Sequence, residues 1–201
     1  MRLLLFAGFL GSGKTTLILA LARRSAMAGL RTCVIVNEVG EVGIDGAVLQ
    51  MGELEVKEIT GGCICCQIGP DLVRTLRELD EQFRPHLVVV EASGIATPSG
   101  VLEALKYFPD RLTGVETVTV VDAARFTELH EVITPLIESQ IGGADRVVIT
   151  KADEATPAEV DEAREAVRSL APSVPVHVVD ATSADALMPL LRALVPGGTG
   201  A

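Results

Sequence analysis

"GFLGSGKT", residues 8–15, fits the pattern GxxxxGK[ST] and stands between an apolar run, "RLLLFAG", and a helix-like segment beginning near residue 14. Strand, glycine-rich turn and helix are the context this pattern requires. Gly8, Gly11 and Gly13 let the backbone curl so that consecutive N–H groups converge, and the following helix adds its positive end, which makes a nest for polyphosphate. Lys14 is placed to reach the β- and γ-phosphates and Thr15 to ligate Mg²⁺, with Ser12 and Thr16 completing the phosphate-contacting set. The competing reading is a chance glycine-rich turn. With Gly at about 7% of residues, four fixed positions arise by accident in roughly one chain in a hundred, and the strand and helix flanks lower that further.

Outward from this loop, the runs "RTCVIVN", "HLVVVEA", "VETVTVVDA", "DRVVITK" and "VPVHVVDA" alternate with helix-like segments near 14–28, 71–82, 98–107, 123–141, 157–170 and 183–194. Repeated strand-then-helix order predicts an α/β protein of the P-loop NTPase kind, three layers α/β/α around a mostly parallel sheet. Composition agrees, because the chain is 48% hydrophobic but 3% aromatic with no Trp, the aliphatic filling of buried parallel strands. A length of 201 residues suits one domain. The expected division is a domain over 1–195 and a disordered tail, "PGGTGA", over 196–201. Thr156, Pro157 and Glu159 spell a capping box that starts a helix.

Seventeen basic against 27 acidic side chains give a formal charge of -10, which repels nucleic-acid phosphates and anionic lipid headgroups alike. Neither nucleic acid nor membrane is an expected partner. No stretch approaches the ~20 apolar residues that span a bilayer, and "MRLLLFAGFL" runs directly into "GSGKTT" as a buried first strand would. The expected location is the cytoplasm, where thiols stay reduced. Three of the four cysteines nevertheless crowd into "GGCICC" as Cys63, Cys65 and Cys66. Metal or redox chemistry is the reading that remains. Cys63 and Cys65 can chelate one ion, and Cys66 joins if the backbone bends, which Gly61 and Gly62 make cheap. Three thiolates suit zinc, cobalt(II) or another borderline-soft ion and leave the fourth position open, whereas a structural zinc site closes all four. Vicinal Cys65 and Cys66 also admit a redox switch. Cys33, inside a strand, reads as core.

Which nucleotide is bound turns on "ITKAD" at the end of the fifth long strand. Asp153 can accept hydrogen bonds from guanine N1 and N2, donors that adenine lacks, so GTP and GDP are the expected ligands. Lys151 accompanies it, and Thr150 stands where such elements usually carry Asn, which weakens one expected base contact. "DATSA", residues 180–184, is placed to complete the base pocket. Glu91 closes "LVVVE" in the place of an acid that contacts Mg²⁺ through water or orients the attacking water. Glu38, Glu41 and Asp45 follow the second strand, where a carboxylate can hold Mg²⁺, touch a transported metal or simply solvate a loop. His86, His130 and His177 read as structural or surface residues.

In this order "GFLGSGKTT", "NEVGEVGIDG" (37–46), "GGCICC", "VVVEASG" with Glu91 and Gly94, "VVDA" with Asp122, and "TKAD" resemble the CobW-like members of the CobW/HypB/UreG metal-insertion GTPases, over essentially residues 1–195. The resemblance implies a slow, Mg²⁺-dependent GTPase. In it the loops after strands two and three switch between GTP and GDP states and govern a transition-metal site at CxCC that holds zinc, cobalt(II) or nickel(II). It also implies delivery to a recipient metallo- or corrinoid enzyme and admits a nucleotide-dependent homodimer. Two other classes stand beside it. One is a metal-free switch guarding a cobalamin-type enzyme. The other is a small-molecule phosphotransferase, which would need an arginine-rich lid, and the arginines here are scattered.

Overall fold

The computed structural model describes residues 1–36, 54–58, 68–108, 111–180 and 183–195. Expectations for Glu38, Glu41, Asp45, Cys63, Cys65, Cys66 and the tail 196–201 lie outside the described residues. The aliphatic runs become strands β1 (Arg2–Ala7), β2 (Thr32–Val36), β4 (Leu87–Glu91), β5 (Gly114–Asp122), β6 (Arg146–Thr150) and β7 (Val176–Val178), and "LEVKE" supplies β3 (Leu54–Glu58). They pair in the order β3-β2-β4-β1-β5-β6-β7, and every pair is parallel.

Side chains alternate across each strand, so β1 sends Leu4 and Phe6 to one face and Leu3 and Leu5 to the other, all at 0% exposure. On the first face Leu4 and Phe6 pack with Leu17, Ile18 and Leu21 of α1 (Lys14–Met27) and with Leu187, Leu190 and Leu191 of the last helix, α7 (Ala184–Leu194). On the second face Leu3 and Leu5 meet Leu72 and Leu76 of α2 (Ile68–Gln82) and Val101 and Leu105 of α3 (Pro98–Leu105). Further along that face Val147 and Ile149 of β6 pack with Ile141 of α5 (Thr134–Gly142) and with Ala163 and Val167 of α6 (Pro157–Leu170). A strand covered on both sides needs no polar face, which is why β1, β2, β4 and β6 read as nearly unbroken apolar runs. Among the described residues no helix is long and apolar enough to cross a membrane.

The capping box at α6 is present, with Thr156 N donating to Glu159 Oε2 at 2.7 Å and Glu159 N donating to Thr156 Oγ1 at 3.3 Å. The backbone bond from Thr156 holds the Glu159 carboxyl below its ordinary range. The single helix expected over 123–141 is instead a 3-10 turn (Ala123–Arg125), α4 (Phe126–Val132) and α5, with a break at Ile133. Pro135 explains the break, since it has no N–H to continue α4 and its ring suits the first turn of a new helix.

At the amino ends of the strands, far from the glycine-rich loop, Arg146 bonds Glu116 Oε1 at 2.8 Å and lies 2.7 Å from His177 Nε2. Arg2 bonds the other oxygen of Glu116. Burial and the adjacent Arg146 charge push the His177 imidazole below its ordinary 6.5, with Glu116 opposing weakly. The folded state therefore binds this proton less readily than the unfolded chain. The resulting stability is complete above pH ~6.5 and is lost as pH falls below it. His177→Gln is expected to reduce the drop in urea midpoint between pH 7.5 and pH 5, and an unchanged drop would assign the acid sensitivity elsewhere.

Candidate functional site

All strands end on one edge, and the glycine-rich loop leaves the central strand there, where ligands of open parallel sheets bind. The loop enters through Gly8 at φ 132°, and a Cβ at that position would lie 2.2 Å from the carbonyl oxygen of Val120. Only glycine permits so close an approach of two backbones. Gly13, at φ 88°, then turns the chain into α1, leaving the first N–H groups of that helix directed at the loop's concavity. Lys14 is buried, with Nζ donating to the carbonyls of Gly8 at 2.9 Å and Phe9 at 3.1 Å. An ammonium held over backbone oxygens at the mouth of a nest is placed to exchange them for phosphate oxygens.

Register fixes the next group. Phe6 pairs with Glu91 across β1 and β4, so Glu91 stands beside the loop's first turn, and Thr15 Oγ1 donates to Glu91 Oε1 at 2.9 Å. A hydroxyl and a carboxylate in contact at a phosphate loop are hard oxygen donors of the kind Mg²⁺ takes, so the residues present fit that ion. Beyond Glu91 the chain crosses the loop at Gly94, where a Cβ would fall 2.7 Å from Leu10 N. Gln140 on α5 clamps this crossing, its amide donating to the carbonyls of Gly94 at 3.2 Å and Ala96 at 2.9 Å. Thr119 of β5 holds Gln140 in turn through its carbonyl at 2.7 Å. No sequence motif contains Gln140. A signal was present, because a glutamine occupies the apolar stripe of Ile137, Ile141 and Ala144, and a polar residue facing the core needs a partner.

On the opposite flank, the structure places Thr150 at 0% exposure, with its hydroxyl 2.7 Å from the Ser12 carbonyl and 3.1 Å from that of Val121. The expected base contact at Thr150 thus meets a side chain that ties the phosphate loop to β6. Lys151 adopts φ 56°, and Nζ pairs with Asp122 Oδ2 at 2.9 Å, while Asp122 Oδ1 accepts from Ala124 N at 3.1 Å. Asp153 is exposed in the turn that follows, which the N–H groups of Glu154 and Ala155 close onto the Lys151 carbonyl. Thr15, Glu91 and Gly94 therefore gather on the β4 side of the loop, Thr150, Lys151 and Asp153 on the β5–β6 side, and Lys14 lies over the loop itself. Cys33 is fully buried, as a core cysteine would be.

The model of the CobW/HypB/UreG nucleotide-binding domain matches residues 2–178. Among curated proteins, the zinc chaperone CobW of Sinorhizobium sp is 34% identical over 177 residues, 73% of this chain and 49% of that protein. The zinc chaperone YeiR of Escherichia coli (strain K12) is 35% identical over 155 residues, 76% of this chain and 47% of its own length. The chain thus spans about half the length of these relatives. Among solved structures, Zn(II)-bound YjiA GTPase from E. coli superposes with a TM-score of 0.69 at 25% identity, covering 89% of this chain and 57% of that one. HypB from Helicobacter pylori in complex with nickel shares the fold, with a TM-score of 0.67 at 19% identity, over 96% of this chain and 85% of its own.

Proposed function

Because the chain belongs to the CobW/HypB/UreG nucleotide-binding domain family, we propose that it binds and hydrolyses GTP and couples the nucleotide state to a transition metal held at Cys63, Cys65 and Cys66. The observation that carries the reading is the pairing of Thr15 with Glu91 beside a glycine-lined loop that already holds Lys14. Thr15 would hold Mg²⁺ with Glu91 placed behind it, and the ion would supply neutralisation of charge on the β- and γ-phosphates. Lys14 binds the same phosphates, Glu91 orients the attacking water, and Asp153 selects guanine.

Zinc is the proposed cargo. Three thiolates suit it, two relatives are zinc chaperones, and a solved relative is Zn(II)-bound. Cobalt(II) and nickel(II) fit the same ligands less selectively. The recipient is a metallo- or corrinoid enzyme in the cytoplasm. Strand β3 ends at Glu58, on the edge from which the phosphate loop also leaves and five positions before Cys63 in the sequence, which supports coupling between the two. Coupling is reciprocal and typically ~1–3 kcal/mol, roughly 5- to 150-fold in affinity. Zinc titrations should therefore give tighter binding with a non-hydrolysable GTP analogue than with GDP, and Cys65→Ser should remove the difference while GTP still binds. Equal affinities in the two states would leave a metal-free switch as the better reading.

A further inference from the structure

We infer that Arg125, which no motif contains, is a binding residue for the α- and β-phosphates shared by GDP and GTP. This rests on the nucleotide reading above. The 3-10 turn after β5 places it. Asp122 caps that turn at Ala124 N, and the turn carries Arg125 back over the phosphate loop. A Cβ at Gly11 would lie 3.5 Å from a terminal nitrogen of the Arg125 guanidinium. Gly11 itself sits at φ 76°, at the outer bend of the loop, between Leu10 and the buried Ser12.

Two observations make this guanidinium more than a surface charge. First, it has no hydrogen bond or ion pair with another group among the described residues, whereas Lys151, the other cation on this flank, is matched by Asp122 at 2.9 Å. Asp122 thus neutralises one cation and aims the other. Second, the caps on either side are tight, with Ala123 and Phe126 buried at 2% and 4%, so the turn is anchored in the core and Arg125 projects from a fixed base. A guanidinium donates from a planar fork that matches two phosphate oxygens at once.

Position in the sheet decides which phosphates. β1 lies between β4 and β5. Glu91 and Gly94 occupy the β4 side, where Thr15 donates to Glu91 and would hold Mg²⁺. Arg125 stands on the β5 side with Lys151 and Asp153, the flank assigned to the base. A cation there meets the part of the polyphosphate nearer the ribose, which is the same in substrate and product. Its contribution is then uniform binding, felt equally by GDP and GTP, and not one made only in the transition state.

The test is titration of GDP and of GTP with Mg²⁺ into the wild-type chain, Arg125→Gln and Arg125→Lys, with thermal melting of each protein without nucleotide. The expected result is a roughly tenfold loss of affinity in Arg125→Gln for both nucleotides, the size of a charge-assisted hydrogen bond, with part of it recovered in Arg125→Lys. Their melting temperatures should stay together, since Arg125 is exposed. Unchanged affinity in Arg125→Gln would overturn the assignment while leaving nucleotide binding in place, and a loss confined to GTP would overturn it in favour of a contact to the γ-phosphate. A wild type that binds neither nucleotide would remove the functional reading and this one with it.

Discussion

Lys14→Ala is expected to reduce GTP turnover to background while the protein still melts as a folded domain. The Nζ atom already lies inside the loop, 2.9 Å from the Gly8 carbonyl and 3.1 Å from that of Phe9, at a buried position. Entering phosphates offer it oxygens of full negative charge in place of carbonyl dipoles, and charge grows on the β–γ bridge as the bond breaks. Deleting one preorganised donor to developing charge costs about 10²–10³ in rate. Here the same group also binds the ground state, so losses in kcat and in nucleotide affinity compound. Lys14→Arg should not restore turnover, because a planar fork cannot occupy the place of a compact ammonium between two carbonyls. The fold tolerates either change better than the chemistry does. Phosphate release measured beside thermal melting separates the two effects, and a Lys14→Ala protein that hydrolyses GTP at the wild-type rate would end the P-loop assignment.

What made this site legible is that the phosphate loop is contiguous in the chain. Gly8, Gly11, Gly13, Lys14 and Thr15 reveal themselves by spacing because the chemistry needs them on one turn between one strand and one helix. Glu91 was readable for a related reason, since it ends an apolar run, and parallel register delivers the ends of such runs to one edge. The supporting contacts have no such local signature. Thr150 reaches the Ser12 carbonyl across 138 positions of sequence, and Gln140 reaches Gly94 across 46. Each was visible as an oddity, a Thr in place of Asn and a Gln in an apolar stripe, but only the fold shows which carbonyl satisfies it. The motif shows Lys151 beside Asp153, and its ion pair with Asp122 appears only when β5 and β6 lie side by side with Asp122 opposite Thr150. In the fold itself, the strands were plain because burial on both faces leaves nearly unbroken aliphatic runs. The segment 123–141 was not, because its composition is helical throughout and Pro135 had to be weighed as a break between two helices.

Gly8→Ala should be the most damaging single methyl in the described residues, lowering stability by more than about 4 kcal/mol and abolishing nucleotide binding. Two costs add. The conformation, φ 132°, is one that L side chains rarely adopt, and the new Cβ would stand 2.2 Å from the Val120 carbonyl oxygen. Neither partner can move away. Val120 is 1% exposed in β5, which is hydrogen-bonded on both sides by β1 and β6, and Gly8 continues directly from the Ala7 pairing with Thr119. Relief must come from separating the two central strands at the edge where the phosphate loop begins, which disturbs the N–H groups of the nest and the seat of Lys14 together. Gly29→Ala is the control that isolates the first cost. Gly29 sits at φ 71° with nothing within 4 Å of an added Cβ, so it bears conformational strain alone, about 1–2 kcal/mol. Since whole domains are stable by only about 5–15 kcal/mol, the first variant should be marginally folded and the second plainly folded. Urea unfolding of both, with GTP binding followed on whatever remains folded, measures the difference. If Gly8→Ala is no less stable than Gly29→Ala, the close approach of β1 and β5 at the loop entrance is wrong, and with it the placement of the phosphate site at that edge.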